Sequence, residues 1–155
     1  MNQTHIAIPT DDAIIESAIR ILESRISYNS DAPLLTSPQD GKDYAKLQLA
    51  TYEHEVFACI FLDSRNRVIA FEKLFRGTID CASVYPREVV KACLSHNAAA
   101  VIFAHNHPSG ATEPSQADIQ ITERLKNALQ LIDITVLDHL IVGEDVVSFA
   151  ERGLL

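Results

Sequence analysis

The sequence predicts a mixed α/β (α+β) domain. Segments with apolar residues at helical spacing are interspersed with short, almost wholly apolar runs, the signature of helices packed on buried strands. The 155 residues suit one domain with a full core, and 47% hydrophobic with 22% charged residues is the balance of an ordinary globular chain.

Taken in order, Asp11 and Asp12 are placed to cap a first helix, with Ile15, Ala18, Ile19, Leu22 and Ile26 on one face. The stretch YNSDAPLLTSPQDG, rich in Pro, Ser, Asp and Gly, reads as a linker. It divides an N-terminal helix, residues 1–30, from a main domain, residues 31–155. Ser37 before Pro38 starts a second helix reaching about Tyr52. EVFACIFLD and RVIAFEKLF then read as two strands joined by a turn at Asp63–Asn66, the second ended by Gly77. In YPREVVKACLSHN, Pro86 takes a first helical position and Val89, Val90, Cys93 and Leu94 share a face. AAAVIFA is a short buried strand by length and composition. Ile121, Leu125, Ala128 and Ile132 mark a further core helix, ITVLDHLIVG another strand, and VVSFAERGLL a last short one.

Charge and cysteine usage narrow the function classes. Acidic residues outnumber Lys and Arg by 21 to 13, for a net charge of −8. That argues against a dedicated nucleic-acid binder, which carries a basic face. Arg65, Arg67, Lys73 and Arg76 form at most a small patch on a solvated hairpin. The longest apolar runs, such as Ala98–Ala104, are far too short to span a membrane, and the N-terminus has no basic-then-apolar signal pattern. Cys59, Cys81 and Cys93 lack CxxC spacing and lie in apolar contexts, as expected of buried small hydrophobes in a reducing cytoplasm.

The chemistry concentrates in AVIFAHNHPSGATEPSQAD, residues 100–118. Residues i and i+2 of a strand point to one face, so His105 and His107 present two imidazoles side by side where a buried strand ends. Pro108-Ser109-Gly110 then turns the chain. Zinc takes nitrogen or carboxylate ligands at about 2.0–2.2 Å, and a catalytic site keeps a fourth position for water. Asp118, in the first turn of the next helix, is placed as the third ligand. Ser115 and Asp118 also resemble a capping box with Asp in place of Glu or Gln, which explains both without a metal.

HNHPSGATEPSQAD further resembles the H-x-H-P-x6-S-x2-D signature of the JAMM (MPN-type) zinc metalloproteases, and HNHPSG is the form of their RadC-like branch. EVFACIFLD, LFRGTID, YPREVVKACLSHNAAAVIFAHNHPSG and LDHLIVG are similar to that branch too, so the likeness spans roughly residues 37–155. The resemblance implies an MPN/JAB-type three-layer fold, a mixed sheet with helices on both sides and a deaminase-like core. It implies one Zn2+ per chain on His105, His107 and Asp118, with water as the fourth ligand. It implies an upstream glutamate that holds this water: Glu55 is the best match, and Glu53 shares its strand face. Ser115 would stabilise an oxyanion as well as cap its helix. The implied activity is hydrolysis of peptide or isopeptide bonds of a protein or peptide substrate whose identity the sequence does not supply. Oligomeric state is equally open.

The rival readings are a non-catalytic interaction module of MPN type and an accessory protein in DNA repair, the traditional label of RadC-like proteins. The intact ligand positions count against the first, the acidic charge against the second. Zinc deaminases need H-x-E and P-C-x-x-C, both absent. His139 lies outside the ligand signature and is expected as a core histidine satisfied by a strand carbonyl, with a partner to a metal ligand as the alternative. His5, His54 and His96 are expected at the surface or at strand edges.

Overall fold

The computed structural model describes residues 10–26, 32–77 and 83–155. Five strands form one sheet in the order β2-β1-β3-β4-β5. They are β1 (Val56–Leu62), β2 (Val68–Arg76), β3 (Ala100–Asn106), β4 (Thr135–Val142) and β5 (Val146–Ser148). All neighbours run antiparallel except β3 and β4, which are parallel and joined through a helix. The helices are α1 (Asp11–Ile26), α2 (Pro38–Leu49), α3 (Pro86–Ser95) and α4 (Gln116–Gln130).

The sheet is buried on both faces, which is why β1, and β3 from Ala100 to Ala104, are apolar at successive positions and not at alternate ones. In β1, Ala58, Ile60 and Leu62 join Tyr44, Ala45 and Leu49 of α2 in one core. Phe57, Cys59 and Phe61 join Val89 and Cys93 of α3 and Leu125 and Leu129 of α4 in the other. The result is the expected three layers, α2 / sheet / α3 with α4, and α1 packs on α2. Burial pushes the thiol of Cys59 well up and that of Cys93 up to about 12, so both behave as small hydrophobes. Cys81 lies outside the described residues.

Three local expectations are corrected. Thr10, not Asp11 or Asp12, caps α1: its hydroxyl accepts the Ala13 N–H at 3.3 Å, and the aspartates sit in the positively polarised first turn. The linker is shorter than its composition suggested. Val68 N–H donates to the Pro33 carbonyl, Leu35 N–H to that of Asn66, and Leu35 is buried. Pro38 to Gly41 already belong to α2, under a complete capping box from Ser37 and Asp40. The boundary at residues 30 and 31 lies outside the described residues. Finally, α4 buries Thr122, Leu125 and Leu129; Ala128 is only half-buried and Ile132 falls beyond its end. Among the described residues, no helix is long and apolar enough to cross a membrane.

Candidate metal centre

Strand alternation sets the first histidine. Val101 and Phe103 of β3 point to the α3–α4 side, and His105, next in that series, points the same way at 1% exposure. His107 keeps the line of the sheet because its N–H donates to the Val142 carbonyl at 2.9 Å. A turn follows at once, closed by Gly110 N–H on the His107 carbonyl. Gly110 holds φ at +81°, and a Cβ on Gly143 would stand 2.4 Å from its carbonyl oxygen, so this loop and the end of β4 meet only as glycines.

The next helix brings the carboxylate. Ser115 is the N-cap of α4, its hydroxyl accepting the Asp118 N–H at 3.1 Å while Asp118 Oδ2 accepts the Ser115 N–H at 2.8 Å. The Ser115 hydroxyl itself donates to Oδ2 at 2.7 Å. Asp118 Oδ1 is left facing His105 Nε2 at 3.3 Å; Oδ2 lies 3.7 Å from His107 Nε2, and the two Nε2 atoms are 2.9 Å apart. Capping and metal ligation are therefore not mutually exclusive at Asp118, because Oδ2 serves the cap while Oδ1 makes no capping contact and faces His105.

The donor set fits a metal. A tetrahedral ion with bonds of about 2.0–2.2 Å separates its ligands by roughly 3.3–3.6 Å, close to the two contacts with Asp118 and somewhat wider than the one between the imidazoles. His107 Nδ1–H donates to the Ala111 carbonyl at 2.8 Å, which leaves the Nε2 lone pair for the centre of the cluster. Burial pushes the His105 imidazole down against the pull of Asp118, which favours the neutral ring that a metal ligand requires. His105, His107 and Asp118 are the group of described residues whose ligand atoms, all within 4.8 Å of one another, could hold an ion.

Residues 35–154 match the family model of the RadC-like JAB domain. The chain belongs to the RadC-like JAB family. Similar relatives are UPF0758 proteins, a name that designates a family and no reaction. That of Thioalkalivibrio sulfidiphilus is 59% identical over 92% of this chain and 63% of its own length. That of Vibrio cholerae is 57% identical over 94% of this chain and 90% of its own. One from Cellvibrio japonicus is 59% identical over 92% of this chain and 63% of itself. The chain thus spans about two thirds of several relatives and nearly all of another.

In this RadC-like JAB domain, β1 and β3 pair with Phe57 opposite His105. Continuing that register by two residues sets Glu55 opposite His107, whereas exposed Glu53 falls beyond it in a bend. The segment is held by a residue that sequence reasoning missed. Asn106, 3% exposed, accepts the Val56 N–H at 2.8 Å and donates to the carbonyls of Tyr52 and His54. It therefore grips the backbone on both sides of Glu55. The signal was available: a polar residue between two histidines at a strand end, where alternation turns it toward the other face. Asn106→Ala is expected to destabilise the fold by about 1–3 kcal/mol for each buried backbone group left unpaired. Thermal unfolding of metal-free protein measures this; an unchanged midpoint would show that water replaces the amide.

His139 departs from expectation as well. Among the described residues its ring nitrogens meet no strand carbonyl; Nε2 lies 2.8 Å from His105 Nδ1 and Nδ1 lies 2.6 Å from Thr122 Oγ1. The cause is a register shift in the β3–β4 ladder. Val101 pairs with Val136 but Ile102 with Asp138, so Leu137 is an extra residue that resets the alternation and turns His139 to the His105 face. Asp138 anchors the shift, accepting the N–H groups of His139 and Ala150 and the Ser148 hydroxyl. His96 is no plain surface residue either: its ring packs on Phe61 at 4.5 Å and its Nε2 lies 2.6 Å from Glu72. His54 packs edge-on to Tyr52, and His5 lies outside the described residues.

Proposed function

We propose that this domain is a zinc-dependent hydrolase of peptide or isopeptide bonds, with His105, His107 and Asp118 as the metal ligands. The observation that carries the reading is the convergence of two imidazole Nε2 atoms and one carboxylate oxygen at the C-terminal end of a buried strand. A bound zinc supplies Lewis acidity, lowering the pKa of water from about 15.7 toward 7 and polarising a carbonyl.

The protein groups do the rest. Glu55 accepts the proton of the attacking water and later delivers it to the leaving amine, the ordinary work of a positioned carboxylate. Ser115 turns its hydroxyl hydrogen from Asp118 Oδ2 toward the developing oxyanion. Asp118 tolerates that loss because Oδ2 retains the Ser115 N–H. A cavity of about 210 Å³, lined by His107 together with Tyr52, Pro108, Gly143 and Glu144 among others, offers room for substrate beside that one ligand. The net charge of −8 supports a protein or peptide substrate over nucleic acid.

Metal analysis of the protein, purified without chelator or histidine tag, is the test. About one zinc per chain is expected for a three-ligand site of this type. Metal-free protein from zinc-replete cells would remove the catalytic reading and leave an interaction module.

A further inference from the structure

The β1–β3 ladder stops at the metal centre, and one side chain carries on where it stops. The last pair sets Phe57 opposite His105, whereas β3 runs one residue further beside β4, with Asn106 opposite Val142. His107 keeps to that side too, donating its N–H to the Val142 carbonyl at 2.9 Å. The segment that bears Glu55 is held from the opposite side. The Glu55 carbonyl accepts the Gly77 N–H at 2.8 Å, and Val56 pairs with Arg76 of β2. Beyond the last pair, backbone bonding thus ties the two histidines to β4 and Glu55 to β2.

The Asn106 amide spans these two segments. Its Oδ1 accepts the Val56 N–H at 2.8 Å, while its Nδ2 donates to the Tyr52 carbonyl at 3.2 Å and to the His54 carbonyl at 3.0 Å. A backbone N–H only donates and a carbonyl only accepts, so the three partners fix which end of the amide is which. Both amide hydrogens and the oxygen are spent on backbone groups that bracket Glu55. At 3% exposure the bonds are made out of water, where each is strongest. Other side chains do not reproduce the set: an ionised Asp has no hydrogen to donate, and Ser or Thr has one.

We propose that Asn106 is a positioning residue for catalysis, holding the segment that bears Glu55 in a fixed place relative to His105 and His107. It rests on the reading of Glu55 as the general base. A buried asparagine that satisfies stray backbone groups is ordinary by itself. That habit does not account for its place in the chain, directly between the two histidines, with all three bonds around the base. Any drift of Glu55 away from the histidines has to break those bonds.

The test combines amide hydrogen exchange with steady-state kinetics on the zinc-loaded protein, using a peptide or isopeptide bond that the wild type opens. Asn106→Ala should speed exchange at Val56 far more than at Ile60 and Ile102, which face each other in the middle of the same ladder. Its kcat should fall about 10–100-fold, the cost of misplacing a catalytic group by about 1 Å, with KM and zinc content near wild type. Asn106→Ser leaves room for water in place of the amide; it serves if the alanine variant does not fold, and should lose kcat in the same way. Leu129→Ala, a core truncation near the far end of α4, is the stability control. It should melt low and keep wild-type kcat, and a merely structural Asn106 would behave as it does. Wild-type kcat in an Asn106 variant overturns the proposal while the hydrolase reading stands. A Val56 amide that exchanges freely in wild type overturns it too, and that measurement needs no variant. Zinc-loaded wild type that opens no bond would remove the hydrolase reading, and the role of Asn106 with it.

Discussion

Chelation is expected to lower the melting temperature of the wild-type protein strongly and to leave Asp118→Ala almost unmoved. A metal that binds only the native state stabilises it by about 4 kcal/mol at a thousandfold excess over its dissociation constant. For a chain of this size each kcal/mol is worth roughly 2–4 °C, so the wild-type shift should be on the order of 10 °C. Asp118→Ala forfeits that contribution and starts low. Because Asp118 Oδ2 also accepts the Ser115 N–H, the variant loses a helix cap worth about 1 kcal/mol in addition. Ser115→Ala separates the two effects. It removes the cap hydroxyl, costs about 1 kcal/mol, and keeps the full response to chelator. His105→Ala should behave as Asp118→Ala does, with no capping contribution to explain it. Equal chelator shifts in wild type and Asp118→Ala would remove Asp118 from the ligand set.

Glu55→Gln should abolish hydrolysis while zinc content stays at the wild-type level. The amide preserves shape but accepts no proton at the required basicity, and loss of a positioned general base costs about 100- to 10,000-fold. The measurement pairs metal analysis with cleavage of whichever peptide or isopeptide bond the wild type opens in a substrate screen. Glu53→Gln is the control. It should remain active, since the β1–β3 register, continued two residues past Phe57 and His105, brings Glu55 and not Glu53 opposite His107. Full activity of Glu55→Gln together with an inactive Glu53→Gln would transfer the role to Glu53.

Much of the fold could be read before the coordinates. Ser37-Pro38 and Tyr85-Pro86 mark helix starts because proline suits a first turn that has no use for its missing N–H. The apolar runs of β1 and β3 mark strands covered on both faces. The gathering of His105, His107 and Asp118 was legible for a similar reason: each relation is local. Two histidines share a strand face by the period of the strand, and a capping box holds the carboxylate in the first turn of the helix that follows.

Asn106, Thr122 and His139 were not legible in the same way. The sequence by itself determined the elements, their order and the three donor side chains, since periodicity, capping and turn chemistry act within a few residues. Only the tertiary structure decided what supports those donors. Asn106 reaches a segment 50 residues away, and His139 meets a ring 34 residues away. Whether His139 faces His105 at all depends on one extra residue, Leu137, in the β4 ladder. A single-residue shift flips every later side chain of a strand to the opposite face, and it is set by the neighbouring strand and not by the strand's own pattern.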